Sequence, residues 1–357
     1  MIDLKKAREI AARVRLPEDE VGISLSSQSL QNREQHRDSM LRHGLLISKD
    51  MTPLIEERLN VVCDRLFVPR KAVTAFIYNS AEIQADCVTD SLDTCVLRFT
   101  SGLINLMDEA QFQFVVGHEI GHFLLGHGAC SQYISEDSSE EYIVRRAREL
   151  SCDRIGFFGA NSIDESVQAI IKTASGLGDE FLRYDVARFI TQLSELSNPS
   201  KGESRNSTHP SVLIRCRSLL WFSMAVSNLQ ELGVCSDDTI AKIDKKVCRD
   251  LEKFVDGEIR ARKQEHEADI ILWKACILII STGSFSKELQ DRFSKRLGAE
   301  NLRKLTSFFD SFEKEEIEPE AKSRLDTCIS SIYREFPMSA KDIELSAINT
   351  AYELVMS

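Results

Sequence analysis

The chain has no basic stretch, no C-x-x-C pair, no internal repeat, no low-complexity tract and no long uninterrupted apolar segment. Each absence removes a class of function. Clustered Lys and Arg are needed to neutralise phosphates, and the net charge is −11, so nucleic-acid binding is not expected. The most apolar run, Ile270 to Ile280, is too short to span a bilayer and carries Lys274. It reads as a buried core helix. Met1 to Arg8 runs into an amphipathic pattern with no apolar core segment, which argues against a secretory signal. The ten cysteines are scattered, as expected for reduced thiols in a cytoplasmic protein. What remains is ordinary globular composition, 43% apolar and 28% charged, over 357 residues. That length holds two domains, or one enlarged by insertions.

Hydrophobic periodicity organises the chain. Leu4, Ala7, Ile10, Ala11 and Val14 mark an amphipathic helix over residues 3–16, and a Ser- and Gln-rich polar stretch follows to about 39. Pro53 to Phe67 is helical. Val73 to Tyr78 and Thr94 to Thr100 are strand-like, with a third strand between them at Ile83 to Val88. A helix then opens at Asp108, with Gln111 completing a capping-box pair, and closes at Gly126 or Gly128. Helices are expected at 139–158, 164–175 and 180–195, a loop at 198–204, and helix throughout after Pro210. Ile240, Ile243, Val247, Leu251, Phe254 and Val255 form one long stripe there, and Pro319 and Ser339 with Asp342 signal later helix starts. The expected fold class is α+β, mostly α, with a small β-sheet and an all-helical C-terminal domain. The divisions fall at 1–50, 51–228 and 229–357.

His118-Glu119-Ile120-Gly121-His122 carries the chemistry. Residues four apart on an α-helix project from one face, so two imidazoles can grip one Zn²⁺ while Glu119 lies beside it. A hydrolytic zinc needs a third protein ligand. Glu149, 31 residues beyond His118, offers a hard oxygen, and Asp153 one turn later can accept the outer N–H of a ligating imidazole. Thr208-His209-Pro210 and Arg215 follow. His127 falls half a turn off the face of His118 if the helix continues, and it is expected to be structural. Cys130 and Cys152 read as packed thiols, and His36, His43 and His266 are isolated.

His118-Glu119-x-x-His122, Glu149-x-x-x-Asp153 and Thr208-His209-Pro210-x-x-x-x-Arg215 occur in the order seen in HtpX-like and CaaX-prenyl-protease-like gluzincin metallopeptidases, which the chain resembles over roughly residues 52–225. Phe99 to Ile104 and Gly126-His127 resemble the flanking text of that family. The resemblance implies a zincin-type fold with one zinc held by His118, His122 and Glu149. It implies Glu119 as general base and His209 as a stabiliser of the oxyanion. Arg215 is expected to pair with a buried acid such as Asp153. The strand Val96, Leu97, Arg98 and Phe99 would be the sheet edge on which an extended peptide lies. Ile279 to Ser286, with Glu288, Phe293, Leu297 and Gly298, faintly resembles the helix-loop-helix of TerB-like domains. Such helices could bind a regulatory partner or simply buttress the core.

The leading expectation is a soluble cytoplasmic zinc endopeptidase acting on extended or unfolded polypeptides. The alternatives are a metal-stabilised peptide-binding or sensor protein that uses the same cleft without turnover, and a latent enzyme held shut by its terminal helices. Intact Glu119 argues against loss of catalysis, because a silent cleft has no chemical need for that carboxylate.

Overall fold

The computed structural model describes residues 3–19, 38–89, 91–127, 138–195, 211–283, 285–313 and 315–356. The loop at 198–204, His209, Cys130, His36 and most of the Ser- and Gln-rich stretch lie outside the described residues. The chain divides into two compact units, one of Met1–Tyr133 with Tyr142–Val255, the other of Ile134–Glu141 with Asp256–Ser357. The amphipathic helix Asp237–Phe254 therefore belongs to the first unit, and the division falls at Val255 rather than near residue 229.

In the first unit, α1 (Leu4–Val14) precedes β1 (Leu45–Leu46), α2 (Pro53–Arg65), β2 (Val73–Tyr78), β3 (Ala85–Thr89) and β4 (Cys95–Thr100). Then come α3 (Ser101–Leu106), α4 (Glu109–Leu124), α5 (Ser139–Ala160), α6 (Ile163–Ser175), α7 (Val186–Thr191), α8 (Val212–Ser223), α9 (Leu229–Val234) and α10 (Asp237–Phe254). The expected helix at 180–195 is only α7 and a 3₁₀ turn, Gln192–Glu195, because Asp185 caps a new start at Val186 by accepting from the Arg188 backbone. The four strands form a mixed sheet in the order β1-β2-β4-β3, with β2 and β4 parallel and both outer pairs antiparallel.

That order corrects one expectation. Val96, Leu97, Arg98 and Phe99 lie on β4, which pairs with β2 on one side and β3 on the other, so they do not form an edge. The reason is visible in burial: Cys95, Val96, Leu97 and Phe99 are all buried, and a strand covered on both faces belongs inside a sheet. The half-exposed β3, Ala-Asp-Cys-Val-Thr, takes the edge instead. Asp86 and Arg98 join β3 to β4 through two charge-assisted hydrogen bonds of 2.6 Å.

Helix α4 is apolar nearly all round and buried from Gln111 to Gly121, as a core helix must be. Asp108 accepts from the Gln111 backbone and Gln111 answers to the Asp108 backbone, closing a reciprocal capping box. Phe112 packs edge-on against Phe99 of β4, with ring centroids 5.1 Å apart. Against its other side lies α5, and glycines set the spacing: a Cβ on Gly117 would meet the Gly156 Cα at 3.0 Å, and one on Gly156 would meet the Phe114 carbonyl at 2.8 Å. Only glycine allows the two backbones to come this close. Buried Ile243, Val247 and Leu251 of α10 pack with Ile214 of α8 and Leu150 of α5.

The second unit contains α11 (Gly257–Thr282), α12 (Lys287–Ser311), α13 (Ile317–Glu335) and α14 (Ala340–Met356). The apolar run Ile270 to Ile280 is largely buried in α11, as a core helix requires. Gly283, at φ 72, ends α11, and Ser286 caps α12 by accepting from the Leu289 backbone. Among the described residues, no helix is long and apolar enough to cross a membrane.

Candidate metal centre

His118 and His122 stand one turn apart on α4, and Glu149 reaches them from α5 across the glycine-lined crossing. The two Nε2 atoms are 3.3 Å apart. One Glu149 oxygen lies 3.4 Å from His118 Nε2 and the other 3.5 Å from His122 Nε2. An N–N separation of 3.3 Å, with one oxygen of the same carboxylate 3.4 Å from one nitrogen and the other oxygen 3.5 Å from the second, suits a tetrahedral zinc, whose bonds of about 2.0–2.1 Å put its ligand atoms roughly 3.3–3.4 Å apart. The donor set, two imidazoles and a carboxylate, also suits that ion.

The surroundings orient the donors. His118 Nδ1 lies 3.0 Å from Asp153 Oδ1, so the ring donates there and Nε2 is the nitrogen that faces Glu149 and His122. Asp153 is in turn gripped by Arg215 of α8, which donates from Nε at 2.9 Å and from Nη2 at 2.6 Å. Burial alone would raise the Asp153 pKa, but the Arg215 guanidinium overrides it and holds the carboxyl below its usual range. Burial would likewise lower His118, yet the carboxylates of Asp153 and Glu149 carry it up to about 10. The pocket is thus acidic enough to favour a cation. Glu119 is buried beside the donors, and burial pushes it up to about 7 despite the opposing pull of His118. A carboxylate with that affinity for protons suits general base work near neutral pH.

Two participants escape the sequence reading. Helix α4 stops at Leu124 and Gly126 adopts φ 75, which turns the chain back on itself. His127 therefore returns to the centre instead of lying half a turn away, and its Nδ1 is 2.9 Å from His122 Nδ1. Asp19, in the 3₁₀ turn Pro17–Asp19 that follows α1, lies 2.9 Å from His127 Nε2. The Gly126-His127 pair was a usable signal, since a left-handed residue cancels helical phase. Nothing local marks Asp19. Cys152 is a fully buried thiol 3.6 Å from His127 Nδ1.

Residues 52–141 match the family model described as peptidase family M48. That match supports a metallopeptidase in general. It includes His118, Glu119, His122 and His127, and it ends before Glu149 and Asp153, so those two rest on the geometry above. No curated protein and no solved structure matches the chain.

Proposed function

We propose that the protein is a zinc-dependent endopeptidase that hydrolyses extended or unfolded polypeptides, with His118, His122 and Glu149 holding the metal. The observation that carries this reading is the meeting of two imidazole nitrogens 3.3 Å apart with the Glu149 carboxylate, whose two oxygens lie 3.4 Å from one nitrogen and 3.5 Å from the other, beside a buried Glu119. When bound, zinc supplies Lewis acidity that polarises the scissile carbonyl and makes water a better acid. Glu119 accepts the proton of the attacking water at its carboxylate. Asp153 and Arg215 keep His118 in the orientation that leaves Nε2 available. The family resemblance adds His209 as a donor to the developing oxyanion.

An extended substrate pairs with the open edge at Ala85–Thr89, the strand nearest α4, through main-chain hydrogen bonds that demand little of its sequence. The free thiols of the nine described cysteines accord with a reducing compartment.

Metal analysis coupled to a cleavage assay on an unstructured protein tests the reading. One zinc per chain and chelator-reversible cleavage are expected. Glu119→Gln should keep the zinc and lose about 10²–10⁴-fold in kcat, the usual worth of a general base. Wild-type cleavage by that variant, or a wild-type chain without metal, overturns it.

A further inference from the structure

His122 is backed differently from His118, and the backing runs out of the two helices. From His122 Nδ1 the contacts lead 2.9 Å to His127 Nδ1, and from His127 Nε2 another 2.9 Å to Asp19 Oδ1. Asp19 is fully buried and lies between two guanidiniums, with Arg148 Nε at 3.7 Å and Arg15 Nε at 3.8 Å. The segment that carries it is anchored throughout. Arg154 donates to the Val14 carbonyl at 3.0 Å, the Leu16 backbone donates to Ser151 Oγ at 3.0 Å, and Arg15 donates to the Leu125 carbonyl at 2.6 Å.

The hydrogens along this line follow from the atoms at its two ends. Asp19, with two arginines beside it, presents the acceptor lone pairs of Oδ1 2.9 Å from His127 Nε2, the ring atom on which a hydrogen is best placed. A metal on His122 Nε2 takes the lone pair of that atom and leaves the ring hydrogen on Nδ1, 2.9 Å from His127 Nδ1, which accepts it. His122 Nδ1 must then be the donor. A neutral imidazole with hydrogen on Nδ1 has its lone pair on Nε2, the atom that faces Glu149 and His118. We propose that Asp19 and His127 are positioning residues that lock His122 in the tautomer able to bind zinc through Nε2.

This makes the N-terminal segment part of the metal centre, through an arginine-held aspartate that mirrors Asp153. It also gives a role to the cluster of His122, His127 and Cys152, whose donor atoms lie within 4.8 Å of one another. The cluster is a hydrogen-bonded support and not a second cation site. Burial lifts the Cys152 thiol well above its ordinary pKa, so it stays protonated beside His127.

The inference rests on the zinc reading, and its test separates the two. Zinc affinity is measured on the full chain by competition with a chromogenic chelator, for wild type, Asp19→Asn, His127→Ala and His127→Asn. Ring-nitrogen NMR of the zinc-loaded wild type and metal-free thermal melts accompany it. Asp19→Asn and His127→Ala should each weaken zinc binding about 10–100-fold, the usual effect of losing a ligand's supporting partner. His127→Asn, which keeps an acceptor near the Nδ1 position, should recover most of the loss. In wild type the spectrum should show His127 with hydrogen on Nε2. Undiminished affinity in both Asp19→Asn and His127→Ala, a His127 hydrogen on Nδ1, or two zinc ions per chain overturns the inference. If His127→Ala fails to fold, Asp19→Asn and the wild-type spectrum still decide. A wild type that takes up no zinc overturns the enzyme reading itself.

Discussion

His118 is backed in one step, by Asp153 on the neighbouring helix, whereas His122 is backed in two, by His127 and then by Asp19 from the N-terminal segment. Both lines end at an aspartate between or beneath guanidiniums, yet they differ in tightness. Arg215 grips Asp153 with two hydrogen bonds of 2.6 and 2.9 Å, while the arginines beside Asp19 stand at 3.7 and 3.8 Å. The short line is built within a helix crossing and one further helix. The long line depends on a segment more than a hundred residues away in the chain closing onto the end of α4. Stability and metal binding should therefore be more strongly coupled at Asp153 than at Asp19.

The largest effect should come from cutting the short line. Asp153→Asn leaves the Arg215 charge buried without its partner, which costs about 3–5 kcal/mol of stability, in addition to weaker zinc binding. A urea melt of the metal-free variant measures it, and a loss no greater than that of Asp19→Asn would erase the contrast between the two lines.

The helix crossing that brings Glu149 to both imidazoles gives the next effect. Gly156→Ala places a Cβ against the Phe114 carbonyl, where the space is 2.8 Å, and should cost about 1–3 kcal/mol through overpacking. Because the helices must part, zinc affinity should fall with stability. A variant as stable as wild type would show that α4 and α5 are not held by this contact.

An acid–base pair outside the centre should give the smallest effect. Lys172 donates to Asp179 at 2.7 Å, but the Asp179 side chain is 61% exposed. Asp179→Asn should cost no more than about 0.2–1 kcal/mol, and less at high salt. Hydrogen bonds from Lys172 and Tyr184 hold the Asp179 carboxyl below its usual range. A depressed folded-state pKa stabilises the protein above the unfolded value of about 3.9 and loses that contribution as pH falls through the folded value. The gap between wild type and Asp179→Asn in thermal melts should thus be present at pH 6 and close in acid.

Much of this arrangement is legible from local pattern. The strand Val73–Tyr78, the capping box of Asp108 and Gln111, and the helical face shared by His118 and His122 depend on residues close in sequence. The four-residue spacing of Glu149 and Asp153 likewise puts both on one face of α5 before any packing is known. The edge of the sheet is not legible in the sequence, because strand order is a property of partners. Burial on both faces sends β4 inside, and only the apolar density of Cys95 to Phe99 hinted at it.

Helical phase carried past Gly126 puts His127 on the wrong side, because the left-handed turn there resets it. The glycines at 117, 121, 156 and 159 are plain in the text, but their use as a contact surface appears only when α4 and α5 meet.

Local chemistry in the sequence settles which side chains share a helical turn, since backbone periodicity projects them from one face. Which helices face each other, which strand is left open and which distant carboxylate closes behind His122 are decided by the fold. Burying apolar faces and satisfying buried charge are global requirements that no short window of residues can meet alone.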